Sequence, residues 1–252
     1  MSTNDVLAIS HQAMQGDMAR VQQISMNMAN ALTPGYKRGI AVQSPGITAF
    51  SEAIDAAGQQ AQARPSFATS FQVDTRPGTV KRTGQNLDVA LVGTGYFEVA
   101  TANGPAYTRQ GSFELDARGR LVTPQGHPVM GRDGEIYLKS ANPVISESGV
   151  VTDPDATSQE GPLGALKIVE FESEAPLERL GDGLLGAPAG LAARSADGAT
   201  VRQGFIENSN VNSAQEMVQL MQAMRHFEGM YKMAQAHDEM LGMAIRKLGD
   251  TN

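Results

Sequence analysis

The two ends of this 252-residue chain carry the same hydrophobic repeat, and no other feature limits the fold so strongly. Near the start, Met14, Met18, Val21, Met28 and Leu32 recur in alternating steps of four and three, with Ser25 in the one missing place. Near the end, Leu220, Met224, Phe227, Tyr231, Ala234, Asp238, Leu241, Ile245 and Leu248 do the same, with Asp238 the single polar intruder. A 3.5-residue period sets such positions along one side of a helix, and either helix alone leaves that stripe in water. Residues 1–35 and 206–252 therefore predict one discontinuous coiled-coil domain, its helices about 40 and 50 Å long at 1.5 Å per residue. Pro34 biases Thr33 away from helical angles, so the first helix is expected to end at residues 31–33. Ser213 with Glu216 three residues on reads as a capping box opening the second.

Between these ends the period changes. Residues 36–75 mix Pro, Gly, Gln and Ala without a sustained repeat and read as an extended connector. From residue 76 to 205 the spacing falls to two: Leu87, Val89 and Leu91 alternate, then Tyr96, Phe97 and Val99 follow a Gly-Thr-Gly break, and Phe113 and Leu115 lead through a turn to Leu121. Short apolar runs punctuated by Gly, Asp and Pro predict an all-β domain. The expected class is α+β: a terminal helical domain drawn from both chain ends plus a middle all-β domain.

Composition narrows the function. A formal charge of -7, with twenty basic residues scattered among twenty-seven acidic ones, lacks the clustered cations that phosphate binding needs, so no nucleic-acid partner is expected. Cysteine is absent, which removes disulfides and thiolate chemistry together. The first twenty residues have neither a basic segment nor an apolar core of signal-peptide length, and no apolar run is long enough to span a bilayer. His11, His127, His226 and His237 show no metal-ligand spacing, and no nucleophile elbow or dinucleotide fingerprint occurs. Asp153, Asp155, Thr157 and Glu160 loosely echo a calcium loop, but Ser158 stands where the turn glycine belongs. Glu98, Glu114 and Asp116 are the one conceivable carboxylate pair for glycoside chemistry, and surface carboxylates are far commoner. No catalytic residue, metal or cofactor is expected.

Eleven of the thirteen methionines lie in the two terminal helices. Methionine fills irregular gaps and tolerates more than one packing, which suits a surface that meets non-identical neighbours. The expected assembly interface comprises Met18, Val21, Met28, Leu220, Met224, Phe227, Tyr231, Leu241 and Ile245.

The string "NMANALTPGYKRG" resembles the signature closing the N-terminal helix of the flagellar axial proteins, the rod, hook and hook-associated components. Asn27, Ala29, Asn30, Ala31, Thr33, Pro34, Gly35, Tyr36 and Lys37 carry the likeness. Two further blocks are similar to the same family in the same order: "LDVALVGTGYFEV" with "YTRQGSFELDARGRLVTPQGHPVMG", through residues that include Leu87, Asp88, Gly93, Gly95, Tyr96, Phe97, Tyr107, Thr108, Arg109, Gly111 and Phe113, and "GFIENSNVNSAQEMVQLMQAMRHFE", through Glu207, Ser209, Asn210, Val211, Glu216, Met217, Arg225 and Phe227. The chain is too short for a full hook protein, and the resemblance leans toward the proximal-rod subtype, with the distal-rod subtype close behind.

The resemblance implies paired terminal helices inside a tubular assembly, with the β domain outside them. It implies other rod proteins and copies of the same chain as partners, and secretion through the flagellar type III export apparatus to a periplasmic rod, without a cleaved signal peptide or membrane insertion. Thr33 to Tyr36 is read as a hinge turning the chain out of the helical core, Tyr36 packing at the joint. The other reading is a stand-alone β-sandwich binding module, such as an adhesin, with oligomerising helical tails.

Overall fold

A computed structural model describes residues 3–45, 67–140, 142–154, 162–172, 177–188, 190–196 and 198–249. The chain forms two compact units: residues 1–29, 39–71 and 212–252, here the helical body, and residues 30–38 and 72–211, the β body. Those breaks differ from the boundaries at residues 35 and 206 that the repeat alone predicts, because the segments flanking each helix are hydrogen-bonded into the β body.

The helical body holds α1 (Thr3–Ala29) and α2 (Ser213–Gly249), packed together as an antiparallel pair, with a two-stranded sheet of Gly39–Pro45 and Phe67–Val73. Part of the expected connector is thus a strand pair; its residues 46–66 lie outside the described residues. Helix α1 stops at Ala29, slightly earlier than expected, and a turn follows in which the Thr33 amide donates to the Asn30 carbonyl at 3.1 Å. Helix α2 is capped by Asn212 rather than Ser213: Asn212 Oδ1 accepts from the amides of Ala214 and Gln215 at 3.1 and 3.2 Å. The difference has a cause, since Glu216, the expected partner in a capping box, accepts instead from Asn27 of α1 at 3.1 Å.

Three contacts fix the register of the helix pair. Ser10 meets Met233, Asp17 meets His226, and Asn27 meets Glu216. Each step forward on α1 is matched by an equal step backward on α2. The seam, however, is not the apolar stripe. Among the described side chains of α2 the buried and half-buried positions are 216, 219, 220, 223, 227, 230, 234 and 237; apart from 219 they follow a 3.5-residue repeat that shares only 220, 227 and 234 with the expected one. On α1 the buried positions are Ser10, Asp17, Gln23, Ile24 and Asn27. Of the eight buried residues among the described helical side chains only Ile24 and Ala223 are apolar, and half-buried Leu220, Phe227, Met230 and Ala234 share the seam with them, so hydrogen-bonded polar groups fix the register of a seam whose packing is partly apolar.

The β body is built oppositely. Its largest sheet runs, in spatial order, Glu178–Gly181, Leu184–Gly186, Gly104–Thr108, Tyr96–Thr101, Ile168–Glu170 and Arg194–Ser195, every pairing antiparallel. Alternation along Tyr96–Thr101 divides the core in two. Phe97 and Val99 enter a large cluster with Val89, Leu121, Val129, Ile136, Val151, Leu166 and Val201, while Tyr96 joins Tyr107, Val169, Leu177 and Leu185. Phe97 stacks edge-on against Phe113 at 5.2 Å, and Tyr107 against Phe171 at 4.7 Å. Val89–Val92 pairs with Thr200–Gln203, and Val80–Arg82 with Phe205–Glu207, so the last strands close back on the first.

Candidate assembly interface and the signature loop

The signature residues divide between the two bodies. Asn27 belongs to the helical body and is 1% exposed. Its side-chain amide pairs with the backbone of Gly39 as another strand would: Nδ2 donates to the Gly39 carbonyl and Oδ1 accepts from the Gly39 amide, both at 2.9 Å. Gln23 Nε2 donates to the same Oδ1 at 3.0 Å, and Asn27 Nδ2 also donates to Glu216 Oε2. A single amide therefore ties α1, α2 and the strand at Gly39, and only a group with both donor and acceptor can do so. Gly39 must be small, because a Cβ there would lie 2.3 Å from Gln23 Nε2.

Thr33 to Lys37 are seated in the β body. Gly35 adopts φ 69°, and a Cβ on it would lie 2.3 Å from the Gln110 backbone nitrogen, so both conformation and space demand glycine. Its amide donates to the Glu207 carbonyl at 2.7 Å. Tyr36 is buried, with the Arg179 guanidinium 4.6 Å above its ring, and Arg179 Nη2 donates to the Lys37 carbonyl at 2.7 Å. Asn210 secures the next peptide: its Oδ1 accepts from the Arg38 amide at 2.7 Å and its Nδ2 donates to the carbonyls of Asp74 and Arg76 at 3.0 Å. These contacts hold residues 35–38 at many points within the β body. Ala29 and Asn30 flank the break between units, Ala29 on the helix and Asn30 in the turn with Thr33.

At the centre of the loop's anchorage is Glu207, 1% exposed. Its Oε1 accepts from Lys37 Nζ at 2.6 Å and the Gly78 amide at 2.8 Å, and its Oε2 from Arg109 Nη1 at 3.1 Å. Arg109 Nη2 reaches the Gly93 carbonyl at 2.6 Å, and Lys37 Nζ the Arg76 carbonyl at 2.8 Å. Burial pushes the Lys37 ammonium below the ordinary lysine range, against the upward pull of Glu207. Nearby, hydrogen bonds from Arg76 hold the Asp74 carboxyl below the usual aspartate range.

The expected interface residues separate by exposure. Met18 is 64% exposed, and Met224 and Tyr231 are each 53% exposed, so none belongs to the seam within the chain. Val21, Met28, Leu220 and Phe227 are half-buried, Leu220 and Phe227 at seam positions of α2. The side chains of Leu241 and Ile245 lie outside the described residues. Met217, Val218 and Met221, which the repeat left off the stripe, extend the exposed apolar surface beside Met224. Leu32, placed by the repeat on α1, lies past its end and is 96% exposed.

Two of the three candidate carboxylates have cationic partners. Glu98 meets Lys167 at 2.7 Å and Asp116 meets Arg120 at 2.8 Å, while Glu98 and Glu114 lie on strands of different sheets. Asp155, Thr157, Ser158 and Glu160 of the calcium-like loop lie outside the described residues. Among the described residues no group of three or more His, Asp or Glu side chains is placed to hold a metal, and no helix is long and apolar enough to cross a membrane.

Terminal helices drawn from both chain ends and paired with each other, with antiparallel β structure between them in sequence, are the architecture expected of an axial assembly subunit. Residues 90–157 match the family described as flagellar hook protein FlgE/F/G D1 domain, and residues 202–247 the family described as flagellar basal body rod FlgEFG protein C-terminal. The chain is 32% identical to the flagellar basal-body rod protein FlgG of Buchnera aphidicola subsp. Acyrthosiphon pisum, over 93% of this chain and 96% of that one. It is 30% identical to FlgG of Bacillus subtilis (90% and 93% covered) and 31% identical to the flagellar basal-body rod protein FlgF of Escherichia coli (88% and 89%). This chain belongs to the flagellar basal-body rod family, a structural class without catalytic activity. Relatives of both rod names match at like identity, and these matches establish the family rather than the subtype.

Proposed function

We propose that this chain polymerises into the flagellar rod through the outward face of its helical body, meeting copies of itself and other rod proteins there. Residues 1–35 and 206–252 form the axial core of that rod, residues 76–205 its outer layer, and the strand pair within residues 36–75 a further contact between subunits. The subunit passes through the flagellar type III export apparatus without a cleaved signal peptide and takes its place in the periplasmic part of the basal body.

The observation that carries this reading is the exposed apolar row of the helical body, at Met18, Met217, Met221, Met224 and Tyr231, beside a seam whose fully buried residues are mostly polar. About half of each such methionine is still exposed, so covering it contributes about 1–1.5 kcal/mol, and several contacts per neighbour together order a polymer. Met18→Asp and Met224→Asp test it, because both sites are exposed and neither substitution disturbs the seam. Incorporation into isolated basal bodies and swimming in soft agar should be lost while urea unfolding of the β body is unchanged; normal incorporation of both variants would overturn the proposal.

A further inference from the structure

With thirteen methionines and no cysteine, the thioether is the oxidisable sulfur of this chain. Its distribution is one-sided. Among the described residues, all the exposed methionines lie on the helical body, two on α1 and six on α2, whereas Met130, in the β body, is only part-exposed. Met217, Met221 and Met224 follow steps of four and three and share one side of α2, each more than half exposed.

We propose that this row is an oxidation site at which hydrogen peroxide switches off assembly. The inference rests on the interface reading above. In each event the sulfur lone pair attacks one peroxide oxygen and the O–O bond breaks as the S–O bond forms. The proton of the transferred oxygen passes to the departing hydroxide, which leaves as water; sulfur loses two electrons and the peroxide gains them. The product sulfoxide is polar and chiral where the thioether was apolar and adaptable. Closing an interface over it requires stripping water from an oxygen that finds no donor among methionine neighbours. Thiol-dependent methionine sulfoxide reductases reverse the change, and a subunit already covered by neighbours is shielded from it. The susceptible species is therefore the subunit in transit, before it is built in.

The test uses the full-length chain, graded hydrogen peroxide, peptide mass spectrometry and sedimentation of assembled material. Met217, Met221 and Met224 should gain oxygen ahead of Met130. Assembly should then fall roughly tenfold or more, as when interface residues of hot-spot rank are lost, and recover after reductase treatment. The urea midpoint of the β body should not move. A triple variant, Met217→Leu, Met221→Leu and Met224→Leu, should assemble and continue to do so after peroxide. Equal peroxide sensitivity in the triple variant, or full assembly of a chain oxidised at all three positions, would overturn the inference. Met224→Asp separates the two readings: if it assembles normally, the interface assignment fails; if it blocks assembly and the sulfoxide does not, the oxidation inference alone fails.

Discussion

The β body and the helical body bury opposite kinds of residue. The β body closes over Phe97, Val89, Leu121, Ile136 and Leu166, and places its charged cluster around Glu207 where three donors meet it. The helical body buries Asp17, Gln23, Asn27 and Glu216 and leaves methionines outside. Apolar burial supplies stability without direction, whereas a polar seam supplies direction with modest net stability. One body has its hydrophobic core internally; the other holds a defined register while keeping its hydrophobic surface for contacts beyond the chain.

The sharpest way to break this contrast is Glu207→Ala, which strands Lys37 and Arg109 in the interior. Removing one partner of a buried ion pair costs about 3–5 kcal/mol, and the urea midpoint of the β body should fall accordingly. A double-mutant cycle with Lys37→Ala should show strong coupling. Gly35→Ala comes next: a left-handed angle and a collision with the Gln110 backbone add to about 2–4 kcal/mol, again in the β body. Asn27→Ala should act on the other body, leaving both polar groups of Gly39 unpaired at a cost of about 2–3 kcal/mol. Hydrogen exchange at the Gly39 amide should accelerate while the core amides of Val89–Val92 stay protected.

Acid provides a finer probe. Asp74 has its folded-state pKa lowered, so its contribution is present above the unfolded value of about 3.9 and is lost as pH falls through the folded value beneath it. Asp74→Asn should reduce stability at neutral pH and flatten the acid limb of a stability-pH curve. Smallest of all, Met224→Ser should leave unfolding of the isolated chain within about 0.5 kcal/mol, because the side chain is exposed. A larger loss would place Met224 in the intrachain packing and weaken the contrast.

Much of this was legible in the residues. Period 3.5 at both ends and period 2 between them determined the elements, and the signature string located the passage between bodies. The phase of the helix seam was not legible, for a definite reason. Counting apolar positions assigns Met18, Met224 and Tyr231 inward, but the pair is closed by Asp17, Asn27 and Glu216, which such a count assigns to solvent. The cap failed similarly, since the role of Glu216 depends on a residue 189 positions away. Within the loop, Pro34 and Gly35 signal a turn equally well for a hinge and for a fixed plug. The contacts that hold the loop, Arg179 over Tyr36 and the Asn210 amide, have no local pattern to announce them.

The convergence on Glu207 has a mechanical consequence. Lys37 lies in the segment of residues 30–38 and Glu207 in the strand Phe205–Glu207, so one short ion pair bridges two stretches of the β body that are 170 residues apart in the chain. Strain on either stretch is met by that bridge and by the other donors gathered on the same carboxylate.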